Sequence, residues 1–186
     1  MKYTINAIKT RYKGINFRSR LEAKWAAFFD LCEWRWEYEP VDFRLKNTGW
    51  IPDFFVEFPC GHSECNGSHT IYAEVKPYRT IKEFKGHPAY NIEHGEILYS
   101  KVSPLGELPN YLDDEPYDTF SLGVDAVALL GLSPSRGTSQ IRCLSHGDGG
   151  GDFDICFFAG TGTQGEVDML WAEACNGTQW EPHERH

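Results

Sequence analysis

The sequence predicts an α/β fold, a mixed central β-sheet flanked by helices, on three observations. Leu21, Trp25, Phe28 and Phe29 recur at helical spacing near the start, and Val167, Leu170, Trp171 and Ala174 do so near the end. Between them lie short alternating runs rich in aromatic and β-branched residues, bounded by proline and glycine. At 186 residues the chain suits one core-forming domain and is short for two, so residues 1–186 read as a single unit with 59–70 as an insert.

The first helix is expected from about Ser19 to Leu31. Ser19 is its natural N-cap, with Glu22 three residues later in the first turn, on the face of Arg18 and Ala26. Trp34 to Pro40 alternates and ends on proline, and reads as a strand. Phe43 to Leu45 begins another short one, Trp50 to Phe58 a further one, and Thr70 to Lys76 the next, stopped by Pro77. Asp53 and Glu74 then fall on neighbouring strands. Thr80 to Lys85 reads as a short helix, Glu96 to Val102 as a strand, and Pro104 to Phe120 as an irregular acidic loop. Asp125 to Leu132 is a compact apolar run, taken as a strand on its length. Gln140 to Leu144 and Phe153 to Phe158 are expected to pair around the glycine-rich turn His146 to Gly151. Val167 to Cys175 closes the chain as a helix. Residues 78–160 would complete the sheet and shape a cleft.

Composition narrows the function. Apolar residues make up 41% and aromatics 15%, too much for a disordered chain. No run of eighteen apolar residues exists, so no membrane span is expected, and the first residues lack the apolar stretch of a secretory signal. A cytoplasmic address follows as the default expectation. Net charge is −9, which argues against a nucleic-acid partner until the distribution is considered. Lys9, Arg11, Lys13, Arg18, Arg20, Lys24, Arg35, Arg44 and Lys46 crowd the first quarter, whereas acidic residues gather in Glu107 to Asp118 and Gly147 to Asp154. One end could meet a phosphate backbone while the acidic remainder could meet a protein. The six cysteines are too sparse for a secreted disulfide scaffold. Cys32, Cys156 and Cys175 lie in apolar patterns and read as buried thiols.

Asp53 follows Pro52, and Glu74 precedes Lys76 by two residues, which puts Glu74 and Lys76 on one face of a strand. Two carboxylates and the Val75 carbonyl suffice for a hard divalent cation that keeps several waters. Such an ion polarises a phosphoryl oxygen and acidifies water, and a lysine beside it can hold that water or balance developing charge. The bland alternatives are a turn carboxylate at Asp53 and a solvated strand face at Glu74 and Lys76.

Pro52-Asp53, a spacer and Glu74-Val75-Lys76 resemble the signature of the PD-(D/E)XK nuclease superfamily. Tyr12 to Phe29, Trp36 to Pro40 and Ile51 to Phe54 resemble the helix, strand and metal strand of its phage-type endonuclease branch, in the same order. The likeness covers residues 10–77 well and Val167 to Trp180 loosely. It implies a restriction-endonuclease-like core and DNA hydrolysis with Mg²⁺ or Mn²⁺, inside a phage-infected or bacterial cell. Asp53, Glu74, the Val75 carbonyl and Glu22 would hold the ion, Lys76 would act beside them, and Arg18, Ser19 and Arg20 would contact phosphate or orient Glu22. Cutting both strands would favour a homodimer.

Between the two carboxylate strands, Cys60, His62, Cys65 and His69 offer four ligands in a polar, glycine-bearing loop. Tetrahedral zinc takes such ligands, and a short hairpin without its own core gains most from the clip. Four ligands from one decapeptide are sterically tight, so Cys143 or His146 could stand in for His69. The bland alternative is a polar loop with incidental cysteines. Two rival functions remain: a nuclease-fold module that docks to DNA or protein without cutting, and a zinc-based adaptor, which leaves the carboxylates unexplained.

Overall fold

The structure, a computed structural model, describes residues 7–41, 50–92, 96–100, 117–147, 149–160 and 162–178. The expected strand at Phe43 to Leu45, most of the acidic loop from Pro104, and Arg44, Lys46 and Trp180 lie outside them.

The chain opens with a hairpin, β1 (Thr10–Tyr12) and β2 (Ile15–Phe17), and enters helix α1 (Arg20–Leu31). Strands β3 (Arg35–Tyr38), β4 (Phe54–Pro59) and β5 (Ser68–Val75) follow. After two 3₁₀ turns, Ile81–Phe84 and Pro88–Asn91, come β6 (Glu96–Ser100), β7 (Tyr117–Ser121), β8 (Ala126–Leu130), β9 (Gln140–His146) and β10 (Gly149–Asp154). A 3₁₀ turn, Ile155–Phe157, leads to helix α2 (Gln164–Gly177). The main sheet is six-stranded, in the order β10-β9-β8-β5-β4-β3, and β6-β7 and β1-β2 form separate two-stranded ribbons. Every pair in the main sheet is antiparallel except β5 with β8. The α/β class with a mixed sheet is as the sequence predicts.

Period two explains the layering. Ala126, Ala128 and Leu130 of β8 face one core with Phe54, Val56, Ile71, Ala73 and Val75, beneath α1 and α2. Val127 and Leu129 face a second core with Trp50, Tyr72, Phe84, Ala89 and Ile92. The strand is covered on both faces, which is why it reads as an unbroken apolar run. On the helix side Trp25 is fully buried, meets Trp171 of α2 at 4.9 Å, and donates its indole N–H to the Gly131 carbonyl at 3.0 Å. Burying such a ring contributes roughly 1.5–3 kcal/mol.

Three boundaries differ from expectation. The strand expected from Trp50 begins at Phe54, because Pro52 lacks a ladder donor and the chain bends at Asp53. Tyr117–Ser121 is a strand paired antiparallel with Glu96–Ser100, not part of a loop; the pairing partner lies far off in sequence, so no local pattern announces it. The glycines at 149, 150 and 151 are not the turn but the start of β10, paired with His146, Ser145 and Leu144. Phe153 and Asp154 end that strand, and Ile155 to Phe157 coil into 3₁₀ geometry. Among the described residues no helix is long and apolar enough to cross a membrane.

Candidate functional site

Two clusters of chemistry-bearing side chains occupy opposite ends of β5. At its final turn of chain, Glu74 and Lys76 leave one face of the strand while Val75 is buried in the helix-side core. Phe54 pairs with Ala73, so Asp53, at the bend just before β4, reaches the end of β5, where its Oδ2 accepts the Val75 N–H at 2.7 Å. Asp53 is 1% exposed, Glu74 3% and Glu22 7%. Burying three carboxylates is costly unless each is paired.

The pairing is extensive. Ser19 caps α1 by accepting the Glu22 N–H at 3.2 Å, and its hydroxyl donates to Glu22 Oε1 at 2.8 Å. The Tyr38 hydroxyl donates to Glu22 Oε2 at 2.5 Å, as does the Arg18 N–H at 3.2 Å. The Arg18 guanidinium pairs with Asp53 Oδ1, meets Glu39 at 3.0 Å and lies 3.9 Å from Glu22, so it ties helix, loop and strand together. On the other side Lys76 Nζ donates to Glu74 Oε1, His87 Nε2 lies 3.1 Å from the same oxygen, and the Trp50 indole donates to Oε2 at 2.7 Å. The Ala89 N–H donates to His87 Nδ1, which places the imidazole proton on the nitrogen facing Glu74.

These surroundings push the two central carboxyls apart. Burial and the charge of Glu74 raise Asp53 to about 7, against the pull of Lys76 and the Val75 N–H. Burial alone would raise Glu74 too, but hydrogen bonds from His87, Lys76 and Trp50 and the charge of Lys76 hold it below the ordinary range. Tyr38 is raised to about 12 by burial and its bond to Glu22, so it remains a donor. Asp53, Glu74 and Glu22 offer carboxylate oxygens, the hard donor type that Mg²⁺ and Mn²⁺ prefer.

Glu22, Asp53, Glu74, Lys76, Arg18 and Ser19 are thus brought together. Arg20 takes part in none of these bonds, and its Nε is buried with no hydrogen-bond partner. Sequence reasoning missed Tyr38, Glu39, His87 and the bond from the Trp50 indole to Glu74. Tyr38 and Glu39 stand in the aromatic strand that carried the resemblance. His87 follows Gly86 in a loop and carries no local signal.

At the start of β5 a second group forms. Cys60, Cys65, His69 and His146 each offer one ligand atom, all within 4.8 Å of one another, and could hold a metal ion. The ligand set read from the decapeptide is corrected at one position: His62 is exposed and outside the group, and His146 of β9 takes its place. Geometry explains this, since Cys60, Cys65 and His69 already converge through the turn closed by Cys60 N–H to the Gly67 carbonyl at 2.9 Å. Cys143 lies elsewhere, its N–H bonded to Asp152. No disulfide links any of the six cysteines.

Comparison with family models, curated proteins and solved structures yields no match for this chain.

Proposed function

We propose that this chain is a metal-dependent endonuclease that hydrolyses DNA phosphodiester bonds with Mg²⁺ or Mn²⁺. The observation that carries the reading is the set of three buried carboxylates from a helix, a turn and a strand: Arg18 links Glu22 and Asp53, Asp53 accepts the Val75 N–H, and Lys76 donates to Glu74. The likeness of these residues to the PD-(D/E)XK signature supports it.

Asp53 and Glu74 would hold the ion with the Val75 carbonyl, and Glu22 would add a third carboxylate. When bound, the ion supplies phosphoryl polarisation and a more acidic water. Lys76, released from Glu74, would orient that water or balance charge on the phosphate. Arg18, released from Asp53, would be free to contact a substrate phosphate, and Tyr38 and Ser19 hold Glu22 by hydrogen bonds to its two carboxylate oxygens. The Cys/His quartet is a softer donor set with no part in this chemistry; zinc in a structural role suits it.

The test is cleavage of supercoiled, linear duplex and single-stranded DNA with Mg²⁺ or Mn²⁺. Asp53→Ala and Lys76→Ala are each expected to slow cutting by at least about 100-fold while remaining folded. One observation favours a second reading. Arg18 on Asp53, and Lys76 and His87 on Glu74, already balance the carboxylates, as a non-cutting DNA- or protein-docking module would require. A folded, metal-loaded wild type that cuts none of the three substrates would favour that module.

A further inference from the structure

The Cys/His quartet is accompanied by an outer ring of contacts of the kind that tunes metal ligands. His69 turns Nε2 inward, 3.2 Å from His146 Nδ1, and its other nitrogen faces Asp125 Oδ2 at 3.6 Å. Asp125 is itself held, accepting the Thr70 N–H at 2.7 Å while its own N–H donates to the Thr70 carbonyl at 2.9 Å. Both sulfurs receive backbone donors: His62 N–H to Cys60 Sγ and Gly147 N–H to Cys65 Sγ, each at 3.4 Å. His146 Nδ1 lies 3.6 Å from Cys60 Sγ and 3.4 Å from Cys65 Sγ. Carboxylate-backed imidazole and amide-backed thiolate are the arrangements that fix ligand orientation around zinc.

We infer that Cys60 Sγ, Cys65 Sγ, His69 Nε2 and His146 Nδ1 form a closed tetrahedral zinc site, with Asp125 as the residue that orients His69. The site staples the β4–β5 turn to the β9–β10 hairpin, two segments that share no strand pairing. His62 is a supporting residue only: its ring packs where a side chain at Gly147 would stand, 2.8 Å from an added Cβ, and its N–H steadies Cys60. The absence of an open coordination position makes the ion structural. The inference rests on zinc as the ion for the quartet and is independent of DNA hydrolysis.

Purified full-length protein, stripped with a chelator and titrated with Zn²⁺, is expected to bind one equivalent. X-ray absorption of the wild type should show two sulfur neighbours at about 2.3 Å and two nitrogens. Asp125→Asn is expected to weaken zinc binding by about 10- to 100-fold, His146→Ala by more, and His62→Ala not at all. A folded wild type that takes up no zinc overturns the ion. Zinc retained by His146→Ala but lost by His62→Ala overturns the ligand set in favour of the decapeptide. Should His146→Ala fail to fold, His62→Ala still decides between the two ligand sets, because zinc lost there overturns the proposed one, and fewer than two sulfurs in the wild-type spectrum excludes both. Full affinity in Asp125→Asn removes Asp125 from it.

Discussion

Asp53 has the least ordinary environment among the described carboxyls, and its consequence is a pH dependence of defined sign. Its carboxyl ordinarily titrates at 3.8 and here at about 7, so the folded chain holds that proton more tightly than the unfolded one. The stability this contributes is whole below pH 3.8 and is lost as pH rises towards 7. Without divalent metal, wild-type stability should therefore fall more steeply across that window than that of Asp53→Asn, as read from urea midpoints at several pH values. Equal slopes would contradict the proton's location. The proposed Mg²⁺ site carries the opposite sign: ion and proton would compete for Asp53, so apparent affinity should climb through the same window, as titration calorimetry in two buffers would reveal. At this scale the sequence was informative where chemistry and spacing coincide. Glu74 and Lys76, two apart on a strand, had to share a face. His87 could not be found, since only the fold of the chain after Lys76 carries it back to Glu74.

Elements were legible where one period dominates and were misread where glycine or proline obscures it. Helix α1 follows from Ser19, Glu22 and its apolar stripe, and begins one residue from where it was expected. β10 was misplaced because three glycines have no side chains with which to display alternation. The β1–β2 turn shows the opposite case, in which glycine means what it usually does. Lys13 and Gly14 both have positive φ, 47° and 82°, the geometry that matches the twist of a two-residue hairpin. Gly131, after β8, is required for a different reason. An added Cβ there would lie 2.5 Å from the Thr138 carbonyl oxygen and 2.6 Å from that of Tyr78, while Trp25 bonds its own carbonyl. Gly131→Ala is expected to destabilise by about 1–3 kcal/mol, measured by urea unfolding. Gly165→Ala on α2, where an added Cβ meets nothing within 4 Å, should be neutral or slightly stabilising.

Over the described part of the molecule, β5 carries the Cys/His quartet near its start and the buried carboxylates at its end. His69 and Glu74 are separated by five residues of strand, roughly 17 Å. Removing zinc should therefore loosen one end without dissolving the other. Hydrogen exchange is expected to speed up in β9, β10 and the β4–β5 turn after chelation, with the Val75 amide left protected by Asp53. Exchange that accelerates equally at both ends would show the two to be one cooperative unit. The sheet's outer half was hard to foresee for a related reason: residues 78–160 contain both the second ribbon and the strands that complete the main sheet, and local pattern does not say which strand joins which.

The single parallel pair, β5 with β8, bears on the order in which the chain assembles. The strand pairs β3–β4 and β4–β5 join near neighbours in sequence, so they need only short closures and can form early. β8 must come back across about fifty residues, 76 to 125, at an entropic cost on the order of 3 kcal/mol before any pairing compensates it. His146 travels with that late half. Three of the proposed zinc ligands are thus on hand in the first-formed half, and the fourth arrives only when β9 docks, so the slowest step of refolding and the capture of a tightly held ion should share one rate constant.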